Sequence, residues 1–410
     1  MVSDVARSCL ERVGGPNGNG CATSDDQSTD MIGCTYIIET RWRYREIVKK
    51  KKKSIGLLEI AKLANVSLGT VDRAMHNRGR IGEETRQRIL SIARQLGYKP
   101  NLAARALSLG SSAITVAVCI PREIHYFFDQ VHDGIVDEAK HYEHVGLQIQ
   151  YAPTERLGVA EAAAVRTMMG RAPRGLIITP GDPEGVTPLI DEAEKQNIRV
   201  VCVASDAPRS RRTAVVSVDS GAAGKLAAEL LGRFVLPGSQ VAVVTGMLQT
   251  EDHRRKVDSF SDLFGRICPG GQVAKVIEDH EDEEEAFQKC RRMLEENKAI
   301  SGLYVTTANC LPVCRALTTM NLGQKVQLVT SDLFLEMLPY FDMGVIAASI
   351  YVRPFAQGRL AVRLIMEHVL YGRRVRSEHY IAPQVVTRSS MHLFRETQSL
   401  RTRSHERVSD

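Results

Sequence analysis

The sequence predicts two parts of different fold class: a small all-α headpiece and an α/β body built as two doubly wound lobes with parallel sheets. In the headpiece, apolar side chains recur at helical spacing between turn signals. Residues 113–392 instead alternate short apolar runs with segments of helical length, which indicates parallel strands joined by helices. That second part is large for one sheet, so two lobes are expected.

The first two predicted helices lie within residues 57–80. One apolar stripe on the first helix consists of Leu57, Ile60, Ala61 and Ala64. Asn65 follows where a tight turn needs a left-handed backbone, and Ser67 can cap the second helix. Val71 and Met75 point back toward the first helix. This layout is typical of a helix-turn-helix, and an ordinary helical hairpin is the alternative.

The outward face of the second helix suits contact with DNA. It consists of Leu68, Gly69, Thr70, Arg73 and His76. Leu68 can lie on a thymine methyl group, and Gly69 lets the backbone approach closely. Arg73 can either fork onto a guanine or hold a phosphate.

Charge is concentrated in this region. Residues 49–112 carry 14 Lys plus Arg against 4 Asp plus Glu, a net charge of +10, whereas the whole chain is +6, so the remainder is about −4. A basic headpiece on a near-neutral body is the electrostatic pattern of phosphate contact. A third helix is predicted from Glu83 and Glu84 to the GYKPN turn, and an Ala-rich and Leu-rich segment, too short to be stable alone, follows it.

From about Leu57 to His392 the chain resembles the LacI/GalR family of bacterial transcription regulators, most specifically in VSLGTVDRA, ETRQRIL and LGYKPNLAARAL. The resemblance implies that the second helix enters the major groove, and that Leu107 belongs to a hinge helix that wedges the minor groove. Asp72 departs from the Ser usual at its position, and it can accept from a cytosine or pair with Arg73. The candidate DNA-contacting residues are Leu57, Ser67, Leu68, Gly69, Thr70, Asp72, Arg73, His76, Arg80, Tyr98, Asn101, Ala104 and Leu107.

The body contains eight apolar runs that are predicted as strands. They are residues 114–120, 175–179, 200–203, 215–218, 241–245, 302–305, 326–330 and 345–350, with helices expected at 130–145, 186–197, 221–235 and 354–371. The family resemblance implies a periplasmic-binding-protein-like body whose lobes close on a small sugar-like effector. Such sheets bind ligands beyond the C-terminal ends of their strands.

Candidate effector contacts follow these strands. Aromatic residues after the first strand can stack on a sugar or belong to the core. Asp182 and Asp332 match family positions that bind effector hydroxyls, although Asp182 can also be a turn residue. Asp219 and Ser220 are a cap or a contact, and capping is favoured for Ser220. The candidates are Phe127, Phe128, Asp182, Asp219, Arg254, Lys256, Asn309, Asp332 and Arg353.

Lys256 and Val352 depart from the family pattern, which usually has Arg and Gln at these positions. Either Arg254 or Lys256 is expected to reach the ligand, because a charged donor can bridge hydroxyls or a carboxylate. Val352 stands where the family motif has Gln, so one polar contact expected from the family is missing. Either Arg353 beside it compensates, or the effector is not an ordinary pentose or hexose.

No motif indicates catalysis, a cofactor or a metal site. The acidic run at 278–285 is interpreted as a solvated helix start, and the nine cysteines as reduced thiols. The predicted domains are a disordered or mis-annotated extension (1–54), the helix-turn-helix domain (55–100), a hinge (101–112), the effector-binding and dimerisation domain (113–392) and a disordered tail (393–410). No export signal is recognised, which favours the cytoplasm.

The sequence thus predicts a cytoplasmic, nucleoid-associated regulator, most simply a repressor, that binds operator DNA as a homodimer or tetramer under allosteric control by a carbohydrate-like effector. One alternative is a DNA-binding regulator or scaffold that has no sugar ligand. A solute-binding protein is the other alternative, and it would need an export signal and no basic headpiece.

Overall fold

The computed structural model describes residues 56–76, 81–96, 98 and 114–391, without the side chain of His76. The predicted N-terminal extension, the hinge and the C-terminal tail therefore lie outside the described residues. The helical N-terminal region and the α/β body are separate units, and each is described by itself.

The N-terminal unit contains helices with short connections. They are α1 (Leu57–Ala64), α2 (Leu68–His76) and α3 (Glu83–Gln95). Helix α1 packs on α3, and the buried side chains of this region are Ile60, Ala61, Ala64, Val71, Ala74, Ile89 and Ala93. The predicted apolar stripe is therefore the buried face, except that Leu57 is only half-buried.

The body contains two six-stranded sheets, one in each lobe. The strands are β1 (Ile114–Cys119), β2 (Leu147–Tyr151), β3 (Gly175–Ile178), β4 (Arg199–Val203), β5 (Ala214–Val218), β6 (Gln240–Thr245), β7 (Gln272–Glu278), β8 (Ile300–Val305), β9 (Gln327–Ser331), β10 (Ile346–Tyr351), β11 (Glu378–Ile381) and β12 (Gln384–Val386). Their order is β11-β5-β4-β3-β1-β2 in the first lobe and β12-β10-β9-β8-β6-β7 in the second. All neighbours run parallel except β12, which is antiparallel to β10.

Helices cover both faces of each sheet. They are α4 (His125–Lys140), α5 (Glu161–Met169), α6 (Pro183–Lys195), α7 (Ser220–Phe234), α8 (Glu251–Ile267), α9 (Glu283–Glu296), α10 (Leu311–Thr319), α11 (Leu338–Asp342) and α12 (Pro354–Tyr371), with short 3-10 turns at 143–145, 335–337 and 388–390. Successive residues of a strand point to opposite faces. Accordingly, Val116 and Val118 of β1 pack in one core while Ala117 and Cys119 pack in another.

The chain passes between the lobes after β5, β10 and β11. The predicted fold class is confirmed, and each of the eight predicted strands is present within two residues of its expected bounds. Four strands at or near the sheet edges, β2, β7, β11 and β12, were not predicted. Among the described residues, no helix is both long and apolar enough to cross a membrane.

Candidate functional site

The turn between α1 and α2 has the geometry that its residues favour. Asn65 is left-handed at φ 51°, and the Val66 N–H donates to the Ala61 carbonyl at 3.0 Å. Ser67 caps α2, since its Oγ accepts from the Thr70 N–H at 3.1 Å. A left-handed Asn and a Ser cap therefore determine where α2 starts, and they direct the first turn of that helix outward.

The first turn of α2 exposes the predicted reading surface. Ser67, Gly69 and Arg73 are exposed, and Leu68 is 48% exposed. A Cβ built on Gly69 would meet only the Ser67 hydroxyl, at 3.9 Å. Nothing within the described chain therefore requires glycine at this position, which leaves close approach by a partner as a physical reason for it.

The other DNA-contact candidates fall into two groups. Leu57, Thr70, Asp72 and Tyr98 are half-buried. The side chain of His76, together with Arg80, Asn101, Ala104 and Leu107, lies outside the described residues.

A cleft lies between the two lobes of the body, at the C-terminal ends of the parallel strands. Its cavity volume is about 50 Å³. The first lobe contributes Phe127 and Phe128 near the start of α4, and hydroxyl groups of Thr179 and Ser205. These two hydroxyls are buried and make no hydrogen bond in the described structure.

The floor of the cleft is a charged network between α7 and α8. The Lys256 Nζ lies 2.7 Å from Asp252 Oδ2 and donates to the Thr306 carbonyl at 3.0 Å. Ser220 Oγ donates to the other Asp252 oxygen at 2.6 Å. Burial disfavours the charge on Lys256, but the Asp252 carboxylate outweighs it, and the net effect raises the pKa of Lys256.

Asp332 follows β9 and lines the same cleft with a strained backbone. Its φ is 68°, and its side chain is buried with Oδ1 lacking a hydrogen bond. Burial raises the pKa of Asp332 to about 7, against the opposing effect of Lys256. A buried acceptor without a donor is costly, so a ligand that donates here would relieve that cost.

A buried acidic loop after β7 also reaches the cleft. Glu281 lines it, with Oε1 3.5 Å from His253 Nε2, and the Glu281 N–H donates to Asp279 Oδ1 at 2.9 Å. Burial raises the pKa of Asp279 to about 7 and that of Glu281 well above its ordinary value. Burial also lowers the pKa of His253 to about 4, so this imidazole is neutral near pH 7.

Contacts across the cleft hold the lobes together. Arg156 Nη2 in the first lobe lies 3.2 Å from Asp282 Oδ2 in the second. The Thr250 hydroxyl donates to the Gly181 carbonyl at 2.9 Å, and Gln130 Nε2 donates to the Leu333 carbonyl at 3.2 Å. The lobes are therefore bridged by polar groups on more than one side of the cleft.

The predicted effector residues are only partly brought together. Phe127, Phe128, Lys256 and Asp332 line the cleft, whereas Asp182 and Arg254 line an adjoining depression between the lobes. Arg254 is exposed and pairs with Glu251. Thus Lys256, rather than Arg254, is the basic residue of α8 at the cleft.

The remaining candidates, Asp219, Asn309 and Arg353, are not among the residues that line the cleft. Asp219 caps α7 by accepting from the Ala222 N–H at 3.0 Å, so the cap is Asp219 and not Ser220 as favoured from the sequence. Asn309 is buried and donates to Asp279 Oδ2 at 3.1 Å. Arg353 is exposed and left-handed at φ 57°.

The acidic run at 278–285 corrects the sequence interpretation. Its last residues start α9 as expected, with Asp282 as the cap. Asp279 and Glu281, however, are buried rather than solvated. Asp252, His253 and Glu281 are cleft residues that the sequence reasoning missed. For Glu281, the available signal was an acidic run placed directly after a strand end.

No group of His, Cys, Asp and Glu within the described ranges could hold a metal ion.

Comparison with known proteins accounts for both parts of the chain. Residues 116–373 match the model of the periplasmic binding protein domain, and residues 56–101 match that of bacterial regulatory proteins of the lacI family. The chain therefore combines a lacI-family domain with a body of the periplasmic-binding-protein family. This confirms the resemblance recognised in the sequence.

Relatives of the chain are named as transcription regulators. Catabolite control protein A of Priestia megaterium is 24% identical over 256 residues, which are 62% of this chain and 74% of the relative. The HTH-type transcriptional regulator DegA of Bacillus subtilis is 22% identical, over 59% of this chain and 70% of the relative. A sucrose operon repressor of Klebsiella pneumoniae is 31% identical, over 31% of this chain and 38% of the relative.

Solved structures similar to the body are solute-binding proteins. A glucose-galactose binding protein from Geobacillus stearothermophilus superposes with a TM-score of 0.62 at 25% identity, covering 68% of this chain and 99% of its own. A solute-binding protein from Burkholderia graminis in complex with D-arabinose gives 0.64 at 21% identity, covering 68% and 98%. Together with the lacI-family domain and the named relatives, this makes the chain a DNA-binding transcription regulator whose body has the fold of a binding protein.

Proposed function

We propose that this regulator is a cytoplasmic repressor whose affinity for an operator is set by a small, hydroxyl-rich effector bound in the interlobe cleft. The observation that carries the effector part is that several buried polar atoms at the cleft have no hydrogen bond within the described residues, among them Thr179 Oγ1, Ser205 Oγ and Asp332 Oδ1. Burial of such an atom without a partner costs free energy, and a polyol or sugar offers both donors and acceptors at short spacing.

The DNA part rests on α2. Ser67, Leu68, Gly69, Thr70 and Arg73 would read bases and phosphates, with Asn101, Ala104 and Leu107 as the minor-groove contacts. A homodimer is part of the proposal, because a single small reading surface gives little affinity above background DNA, and two half-sites add their free energies. Effector binding would change the lobe geometry that the two headpieces depend on, so the two sites share a coupling free energy.

To test the DNA part, genomic DNA fragments are incubated with the full chain, and the fragments that the protein retains are sequenced. We expect a short pseudo-palindrome, retained at salt concentrations that remove bulk DNA. Diffuse retention that disappears with modest salt would contradict sequence-specific binding.

The effector part is tested by thermal denaturation with pentoses, hexoses, polyols and sugar phosphates. A ligand at 100 times its Kd adds about 2.7 kcal/mol of stability and raises Tm measurably. If no compound shifts Tm while specific DNA binding holds, the chain is a regulator or scaffold without such a ligand.

A further inference from the structure

The cleft is lined by more carboxyl groups than positively charged side chains. Asp252, Glu281 and Asp332 line it, and of the basic groups there, His253 is neutral near pH 7 and Lys256 is already bound to Asp252 and to the Thr306 carbonyl. Glu281 and Asp332 therefore have no positive charge of their own among the described lining residues.

Glu281 is the more unusual of the two. It is 6% exposed, its two oxygens are buried, and they face the Thr307 side chain and, at 3.5 Å from Oε1, His253 Nε2. Its left-handed backbone, at φ 58°, is held by the bond from its N–H to Asp279. A Cβ on Gly246 would come 2.3 Å from Glu281 Oε1, so the end of β6 leaves room for this carboxyl group.

Two physical arguments favour a cationic partner over a neutral one. Burial raises the pKa of Glu281, so the carboxyl group keeps its proton unless a cation lies beside it. Asp279, whose Oδ1 accepts from the Glu281 N–H, raises that pKa further. An ammonium group lowers the pKa of Glu281, pairs with the carboxylate that then forms and donates three hydrogen bonds, whereas a neutral hydroxyl donates one and leaves the carboxyl group protonated.

The opposite wall of the cleft recognises different chemistry. Thr179 and Ser205 of the first lobe present hydroxyl groups without partners, and Phe127 presents an aromatic side chain. These groups suit the hydroxylated carbon frame of a sugar or polyol. The ligand that complements both walls therefore has a polyhydroxyl body and one positively charged nitrogen.

We propose that the effector is an amino sugar or amino polyol whose ammonium group pairs with Glu281. This inference rests on the proposed function, because it takes the cleft as the effector site. Asp332 then accepts a hydroxyl of the same ligand, and Lys256 keeps Asp252 in place beneath it.

The test compares matched pairs of probes by isothermal titration: D-glucosamine with D-glucose, D-galactosamine with D-galactose, and 1-amino-1-deoxy-D-sorbitol with D-sorbitol. At least one amino compound is expected to bind about tenfold or more tightly than its hydroxyl counterpart, a difference of about 1.4 kcal/mol. Glu281→Gln should abolish that preference while changing the affinity for the hydroxyl counterpart by less than about threefold.

Glu283→Gln is the matched control, because Glu283 is an exposed acidic residue two positions further along the same segment. It should bind both members of each pair as the unmodified protein does. Since Glu281→Gln replaces a buried carboxyl group by a neutral amide of the same shape, the Tm of the ligand-free variant should be equal or higher, which shows that the variant folds.

Equal or tighter binding of the hydroxyl compounds by the unmodified protein overturns the inference, as does an amine preference that survives Glu281→Gln. Binding of the retained DNA fragment, measured in parallel without ligand, separates the two proposals. If neutral sugars bind and DNA binding is intact, only the amine inference fails. If no probe of either kind binds, the inference and the effector part of the proposed function both fail.

Discussion

At the start of α2, Gly69 is exposed and has only one atom near enough to touch an added side chain. Glycine within a helix costs about 0.8–1.0 kcal/mol relative to alanine. The chain therefore carries a destabilising residue that its own packing does not require. A close approach of DNA to the backbone would explain it.

We expect Gly69→Ala to stabilise the headpiece by up to about 1 kcal/mol and yet to weaken operator binding, because the new methyl group occupies the space where the bases would lie. Urea unfolding and fluorescence anisotropy with the retained fragment measure the two effects. Gly265→Ala is the control, since Gly265 is exposed on α8 and an added Cβ would have no atom within 4 Å. An unchanged operator affinity for Gly69→Ala would remove the argument for close backbone approach.

Between the helices of the second lobe, the Ser220–Asp252–Lys256 network joins α7 to α8 beneath the cleft. All three side chains are buried. Removal of one member of a buried ion pair leaves the other charge without compensation. The network therefore fixes the relative position of these two helices.

Lys256→Met should lower the free energy of unfolding by about 3–5 kcal/mol, because Asp252 then remains buried and unpaired. The double variant Asp252→Asn with Lys256→Met should recover much of that loss, since no lone charge remains. Chemical denaturation of the three proteins measures both. A single variant as stable as the unmodified chain would show that the pair does not constrain α7 and α8.

The elements also show how far the sequence could predict this fold. Strands buried on both faces, such as β3 and β5, are continuous apolar runs and were recognised. The edge strands β2 and β7 are half-exposed and carry Gln and Lys among their apolar residues, so their pattern is weak. Burial of Glu281 could not be predicted, because an acidic run usually lies on the surface and tertiary contacts alone enclose it.

Across the whole molecule, buried carboxyl groups link stability to pH. Asp279 and Asp332 hold their protons up to about pH 7 in the folded chain, against an ordinary pKa of 3.8. Between these values the folded state binds more protons than the unfolded state, so stability falls as pH rises. The groups facing them are Lys256 and Asp252 for Asp332, and Glu281, Glu285, His280 and Asn309 for Asp279.

The free energy of unfolding of the ligand-free protein should therefore fall between about pH 5 and pH 7.5. For Asp332→Asn this fall should be smaller, by on the order of 2–4 kcal/mol. Urea midpoints at both pH values provide the measurement. Asp258→Asn, at an exposed site on α8, should follow the unmodified protein. Identical pH profiles for Asp332→Asn and the unmodified protein would contradict the burial argument.

Closure of the two lobes depends on contacts such as the Arg156–Asp282 ion pair. Arg156 is 52% exposed, so its loss should cost no more than about 1 kcal/mol of stability. We expect Arg156→Ala to weaken effector binding up to about fivefold, because the closed arrangement loses a bridge. Arg209→Ala removes an ion pair with Glu184 that stays within the first lobe, and titration should show no change in affinity. Equal affinities for both variants would exclude a role of this bridge in closure.

The path of the chain between the lobes has a consequence for how this regulator could diversify. The chain enters the body at β1, in the first lobe, and residues 220–351 then supply nearly the whole second lobe before the chain returns to the first at α12. Apart from β12, the second lobe is therefore one continuous insertion in the first, which could be exchanged as a single cassette. Replacement of that cassette by its counterpart from a relative would change half of the recognition chemistry in one event. The connection from β1 back to the DNA-reading segment would be inherited unaltered.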